Sequence, residues 1–128
     1  MGETLSILVV EDNEDNQQIA QIILEREGYR VDLAATSAEV RQRISAHRPD
    51  LILMDVHLGL EDGLDVARGL KADPATAAIP IVALTALAAS DDLTAAGCAG
   101  SISKPIDTRI FPAQVRGYLC LDRHVNRS

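Results

Sequence analysis

Short apolar runs alternate with longer amphipathic stretches along this chain of 128 residues, so each run predicts a strand and each stretch a helix. Residues 6–10 predict the first strand. Ile19, Ile22 and Ile23 recur at helical spacing within 14–27, which predicts a helix with these isoleucines facing the core and Gly28 as its stop. Residues 30–34 read as an edge strand, because Val31 and Leu33 alternate with polar neighbours. Ser37 is placed to cap a second helix with Val40 and Ile44 as its inner stripe, and Pro49 marks its end. Residues 51–54 are uniformly apolar, as a central strand covered on both faces must be. A loop from Gly59 to Gly63 leads into a third helix over 64–72, Asp73-Pro74 turns the chain, and 81–84 is a fourth strand. A fourth helix falls between 88 and 96, stopped by Gly97. Residues 101–103 make a fifth strand, and 108–121 a fifth helix with Asp107 as its cap. The polar tail from Asp122 to Ser128 is expected to fray. Strands alternating with helices in this way imply an α/β fold with a parallel sheet and right-handed crossovers. In such open sheets the site lies beyond the carboxyl ends of the strands.

The polar residues that end these strands are the chain's chemistry. Glu11-Asp12 follows the first run, Asp55 closes the third, Thr85 closes the fourth, and Lys104-Pro105 follows the fifth. Taken alone, Glu11 and Asp12 need only complement a helix dipole, and Thr85 is an ordinary strand residue. Together on one rim they make a coherent set. Carboxylates brought close repel one another, and a hard divalent cation such as Mg²⁺, which favours oxygen ligands, is the usual relief. The backbone carbonyl of His57, two residues past Asp55, is a further candidate ligand, whereas its imidazole suits Mg²⁺ poorly. Lys104 can pair with Asp55 in the resting site and with a phosphoryl oxygen afterwards, and Pro105 fixes the backbone just beyond it. Thr85 offers a hydroxyl to an oxyanion, and small Ala86 leaves access. The set points to metal-assisted phosphoryl transfer with Asp55 as the reacting group.

Composition narrows the alternatives. Tyr29, Phe111 and Tyr118 are the only aromatics, so Ile, Val, Leu and Ala must pack the core of this one domain. A formal charge of −7 argues against direct nucleic-acid binding. No apolar stretch has the length of a membrane span, and no signal-peptide pattern opens the chain. Cys98 and Cys120 lack metal-ligand spacing and read as reduced thiols of a cytoplasmic protein. His47 and His124 read as surface residues.

These motifs resemble the receiver domain of two-component response regulators, of the chemotaxis type. The resemblance rests on Leu8-Val9-Val10-Glu11-Asp12-Asn13, on Asp50-Leu51-Ile52-Leu53-Met54-Asp55-Val56, on Asp62-Gly63, on Thr85-Ala86, and on Ser103-Lys104-Pro105-Ile106-Asp107. It implies a flavodoxin-like doubly wound sheet of five strands in the order 2-1-3-4-5 with five helices, over a receiver domain of residues 1–122 and a tail of 123–128. It further implies that Asp55 accepts a phosphoryl group from a histidine kinase or phosphotransfer protein that docks at helix 1 and its adjoining loops. Glu11, Asp12, Asp55 and the His57 carbonyl would hold Mg²⁺, while Thr85, Ala86 and Lys104 would bind the phosphoryl group. The chain is then a phosphoacceptor rather than an enzyme with a separate substrate, and it resembles the stand-alone DivK-type regulators.

Three departures from the family pattern concern how the signal leaves the site. Ser101 stands where the family usually has Tyr or Phe. The Thr85–Lys104 spacing is shorter than usual by about three residues, nearly one helical turn, so helix 4 is expected to be short, displaced or partly disordered. Gly59 replaces a usual Pro and is expected to loosen its loop. Signalling is therefore expected through loops 56–63 and 87–92 or through helix 1. A phosphorylation-independent adaptor, a receiver module of a hybrid kinase and a Mg²⁺-dependent phosphohydrolase are the competing readings. His57 is the hydrolase's only candidate acid or base, and otherwise a modulator of water access.

Overall fold

A computed structural model of the chain describes residues 4–86 and 91–127. Five strands, numbered among themselves in chain order, form one parallel sheet: β1 Ser6–Val10, β2 Arg30–Ala34, β3 Leu51–Asp55, β4 Ile81–Thr85 and β5 Gly100–Ser103. Their order is 2-1-3-4-5, as the family resemblance implied. The register sets Val9 beside Leu33 and Leu53, Leu53 beside Val82, and Val82 beside Gly100. Strand ends are thereby level across the sheet.

Alternation along each strand divides the core into two halves. Ile7, Val9, Leu51, Leu53, Val82 and Leu84 face helices α1 (Glu14–Arg26) and α5 (Phe111–Arg127), where Ala20, Leu24, Phe111, Val115 and Leu119 meet them. Leu8, Val10, Ile52, Met54, Ile81 and Ala83 face α2 (Ser37–Ala46), α3 (Gly63–Ala72) and α4 (Asp91–Ala95), which contribute Val40, Leu64, Ala67, Leu70 and Leu93. Phe111, the chain's single Phe, is fully buried, which contributes roughly 2–3 kcal/mol of transfer free energy.

The structure corrects five local expectations. Ile19 and Ile22 do not face the core: they are 42% and 51% exposed, and the small Ala20 with Leu24 forms the inner face of α1. Thr36, not Ser37, caps α2, because its side chain accepts the Glu39 amide. Asp107 caps the turn that leads into α5 and not the helix itself: its Oδ1 accepts the Arg109 amide at 3.0 Å, its carbonyl accepts the Ile110 and Phe111 amides, and α5 begins at Phe111. Helix α5 continues to Arg127, so the backbone of the expected frayed tail is helical to that point. The loop after Asp55 is not loose either. Residues His57–Leu58 and Glu61–Asp62 pair as a short antiparallel ladder, with Leu58 buried and Gly59 at φ +59°. Among the described residues helix α4 spans five, Asp91–Ala95, in keeping with the missing turn; 87–90, where the expected helix began, lie outside them.

Candidate functional site

Four polar groups converge beyond the carboxyl ends of β1, β3, β4 and β5. Glu11 follows β1 and is tied to β2 through its amide, which donates to the Ala34 carbonyl at 2.9 Å. Asp55 is the last residue of β3, and Thr85 the last of β4. The Lys104 amide donates to the Thr85 carbonyl at 2.9 Å, which extends the β4–β5 pairing by one bond and aims the lysine across the rim. Its ammonium lies 2.9 Å from Asp55 Oδ2 and 3.2 Å from Glu11 Oε1. The carboxylates are nearly sealed, their side chains 3% and 2% exposed, against 23% for Lys104.

The remaining lone pairs are mostly accounted for. The His57 amide donates to Asp55 Oδ1 at 3.0 Å, and Asn16 Nδ2 donates to Glu11 Oε1 at 2.6 Å. Gln17 Nε2 holds the Glu11 carbonyl at 2.5 Å. Glu11 Oε2, by contrast, is buried without a hydrogen-bond partner. One oxygen from each of Glu11, Asp12 and Asp55 lies within 4.8 Å of the others. A buried unpartnered carboxylate oxygen and a neighbouring cluster of hard donors fit an oxygen-seeking divalent cation such as Mg²⁺.

Electrostatics separates the two buried carboxylates. Desolvation lifts Glu11 from 4.5 to about 7, aided by Asp55 and opposed by Asn16 and Lys104. Burial alone would raise Asp55 too. The neighbouring Glu11, Lys104 and the His57 amide outweigh it and hold Asp55 below the usual carboxylate range. Desolvation likewise works against the Lys104 charge, but Asp55 and Glu11 outweigh it and raise the lysine. Around neutral pH, Asp55 is therefore an ionised carboxylate beside a charged Lys104, while Glu11 is poised to lose its proton.

A pH prediction follows from linkage. Glu11 is raised in the folded state, so between about 4.5 and 7 the folded chain holds a proton that the unfolded chain releases. Stability from this group is full below about 4.5 and is lost as pH rises through about 7. Asp55, being lowered, has the opposite sign, but its loss falls at acid pH, below its ordinary 3.8. A cation held at Glu11 would have to displace the proton there, and would meet the bare carboxylate only at higher pH. The rise in melting temperature on adding Mg²⁺ should thus be larger at pH 8 than at pH 5.5, and Glu11→Gln should flatten that difference in differential scanning fluorimetry.

The expected members of the site fall around this centre. Thr85 is buried, Ala86 and Pro105 are exposed, and the Lys104-Pro105 bond is cis. The His57 side chain is exposed. Asp62 caps α3 by accepting the Leu64 amide at 2.9 Å, and Gly63 packs directly on the Asp55 backbone. Gly59 brings the loop against Asp12, whose Oδ2 lies 3.3 Å from where a Cβ would stand.

Three contacts were not foreseen. Asn16 reaches Glu11; its position on the first turn of α1, five residues after Glu11, was the only available signal. Glu61 accepts both the amide and the hydroxyl of Ser37, which anchors the loop after Asp55 to α2 and holds Glu61 below its usual pKa. Tyr118 of α5 lies against Gly100 and donates its hydroxyl to the Ser101 carbonyl at 3.3 Å. A ring therefore covers the strand where Ser101 supplies none.

This fold and this rim define a receiver domain. The chain matches the family model of the response regulator receiver domain over residues 7–116 and belongs to that family. It is 38% identical over 117 residues to the polar-differentiation response regulator DivK of Brucella anthropi, covering 89% of this chain and 95% of that protein. The signal receiver domain of a signal transduction histidine kinase from Syntrophus aciditrophicus is 31% identical, with a TM-score of 0.80 and 91% of each chain covered. A CheY-like receiver domain protein from Methanospirillum hungatei superimposes with a TM-score of 0.85 at 24% identity, covering 95% of this chain and 98% of that one. Among the described residues no helix is long and apolar enough to cross a membrane.

Proposed function

We propose that this receiver domain, residues 1–122, takes a phosphoryl group onto Asp55 from a phosphohistidine of a kinase or phosphotransfer protein, in a Mg²⁺-dependent reaction, and signals through protein contacts. The observation that carries this reading is the Lys104 ammonium bridging two sealed carboxylates, of which Asp55 is kept ionised. An Asp55 carboxylate oxygen forms the new P–O bond as the P–N bond breaks, and the imidazole nitrogen keeps the electron pair and takes a proton. The transition state is loose, so positioning and charge neutralisation supply most of the catalysis. Lys104 exchanges Asp55 for a phosphoryl oxygen, the Thr85 hydroxyl and Ala86 amide donate to the others, and buried Leu53 and Met54 keep the strand beneath them rigid. When bound by Glu11, Asp12, Asp55 and the His57 carbonyl, Mg²⁺ would offset the charge gathering on the phosphoryl oxygens. The chain's only turnover is its own acyl phosphate.

Partner docking fits the face beside α1. A cavity of about 340 Å³ opens onto the site between α1 and the segment after β5, lined by Asn16, Ile19, Ala20, Pro105, Ile106 and Thr108 among others. Ile19 lines it and is exposed, as are Ile22 one turn further along α1 and Ile110 just before α5, apolar side chains with no role in the core. Ile19→Ala with Ile22→Ala should slow phosphoryl transfer from a phosphorylated histidine phosphotransfer protein by about tenfold, as the loss of interface anchors does. Loading from acetyl phosphate should stay within about twofold, because no partner docks in that reaction. Equal slowing with both donors in stopped quench-flow assays would move the partner elsewhere.

A further inference from the structure

We infer that Asn16 is the positioning residue that aims Glu11 at the cation, an inference that rests on the proposed Mg²⁺ site. The two oxygens of the Glu11 carboxylate have different fates. Oε1 accepts from Asn16 Nδ2 at 2.6 Å and from Lys104 Nζ at 3.2 Å, while Oε2 is buried and receives nothing. Pinning one oxygen of a planar carboxylate fixes the direction of the other, and the Glu11 carboxylate places an oxygen within 4.8 Å of oxygens of Asp12 and Asp55.

Asn16 can hold that direction because it is itself held. Its amide donates to Asn13 Oδ1 at 3.0 Å, the cap of α1, so its Cα is fixed by the first helical turn. The next residue, Gln17, grips the Glu11 carbonyl at 2.5 Å, which locks the backbone from which the carboxylate extends. Glutamate has one more methylene than aspartate and one more rotatable bond to restrain. The Lys104 contact cannot serve as that restraint throughout the reaction. Lys104 also bonds Asp55 at 2.9 Å, and it turns to the phosphoryl group once one arrives. Asn16 has no second duty among the contacts of the site. It is the donor that stays on Oε1 as Lys104 leaves.

Outer partners of this kind typically govern metal affinity by 10–100-fold. Isothermal titration of MgCl₂ into the full chain should show an affinity loss of about tenfold for Asn16→Leu. In a Glu11→Asp background the shorter carboxylate no longer reaches Asn16, so adding Asn16→Leu there should cost under about twofold. Amide NMR spectra of the metal-free variants check that each is folded, and Asn16→Ser supplies a smaller replacement should leucine disturb α1. Wild-type affinity in the folded Asn16 variants, or equal losses in both backgrounds, would overturn the inference while leaving the metal site in place. A wild-type chain that binds no Mg²⁺ would overturn both.

Discussion

Lys104→Met should slow the loading of Asp55 by acetyl phosphate by about 10²–10³-fold, the usual cost of removing one preorganised group that stabilises transition-state charge. Lys104 is the only cation that the described residues bring to Asp55, and it serves Glu11 as well. Methionine keeps most of the stem and deletes the charge. Two sealed carboxylates then face each other with no neutralising partner, and the phosphoryl oxygens gather charge against them. Raising Mg²⁺ should restore little, because a cation held by the carboxylates would not replace the lost ammonium. Loading followed by phosphate-affinity electrophoresis measures the rate. A wild-type rate would remove Lys104 from the chemistry.

Gly63→Ala should be as damaging for a different reason. A Cβ on Gly63 would stand 1.9 Å from the Asp55 carbonyl oxygen, 2.9 Å from its carbon and 3.0 Å from the Val56 Cα. All three are backbone atoms, so no rotamer change relieves the clash. Gly63 is also bonded to the Val56 carbonyl at 2.8 Å, which holds the close approach in place. Either the first turn of α3 or the end of β3 must shift, costing about 3 kcal/mol as overpacking does at its upper range. The shift moves Asp55 itself, and displacement of a reacting group by about 1 Å can cost about 10²-fold in rate. Gly117 on α5 is the matched control. Its Cβ would meet nothing within 4 Å, so Gly117→Ala should be neutral or stabilise by up to about 1 kcal/mol. Urea titrations of the two variants, read beside acetyl phosphate loading, test the contrast. A Gly63→Ala chain as stable as Gly117→Ala would mean that the loop yields freely.

The rim of the sheet was legible because strand endings are a local signal. An apolar run stops where the chain leaves the core, and the first polar residue there is placed by the run itself, as with Asp55 and Glu11. The short α4 was legible too, from the count of residues between Thr85 and Lys104. The face of α1 was not. Isoleucines at helical spacing suggest an inner stripe, yet the sheet takes Ala20 and Leu24 and leaves Ile19 and Ile22 outside. Helical periodicity gives a stripe's angle, and exposed apolar residues beside the inner face widen the stripe until its centre is ambiguous. Side-chain pairs joined through tertiary structure were invisible for another reason. Glu61 meets Ser37 across 24 residues, and Tyr118 meets Ser101 across 17, distances at which a single sequence carries no pairing information. The expected looseness at Gly59 failed on the same account. Glycine frees the backbone, but the Glu61–Ser37 anchor and the buried Leu58 take that freedom back.

Whether Asp55 is the phosphoryl acceptor is the central question for this protein. Incubation of the full chain with acetyl phosphate and MgCl₂, followed by intact-mass and peptide-level mass spectrometry, measures this directly. Wild type should gain one hydroxylamine-labile phosphoryl group on the peptide containing Asp55, with none gained in EDTA and none by Asp55→Asn. An unmodified wild type, or an Asp55→Asn chain that loads as fully as wild type, would contradict it.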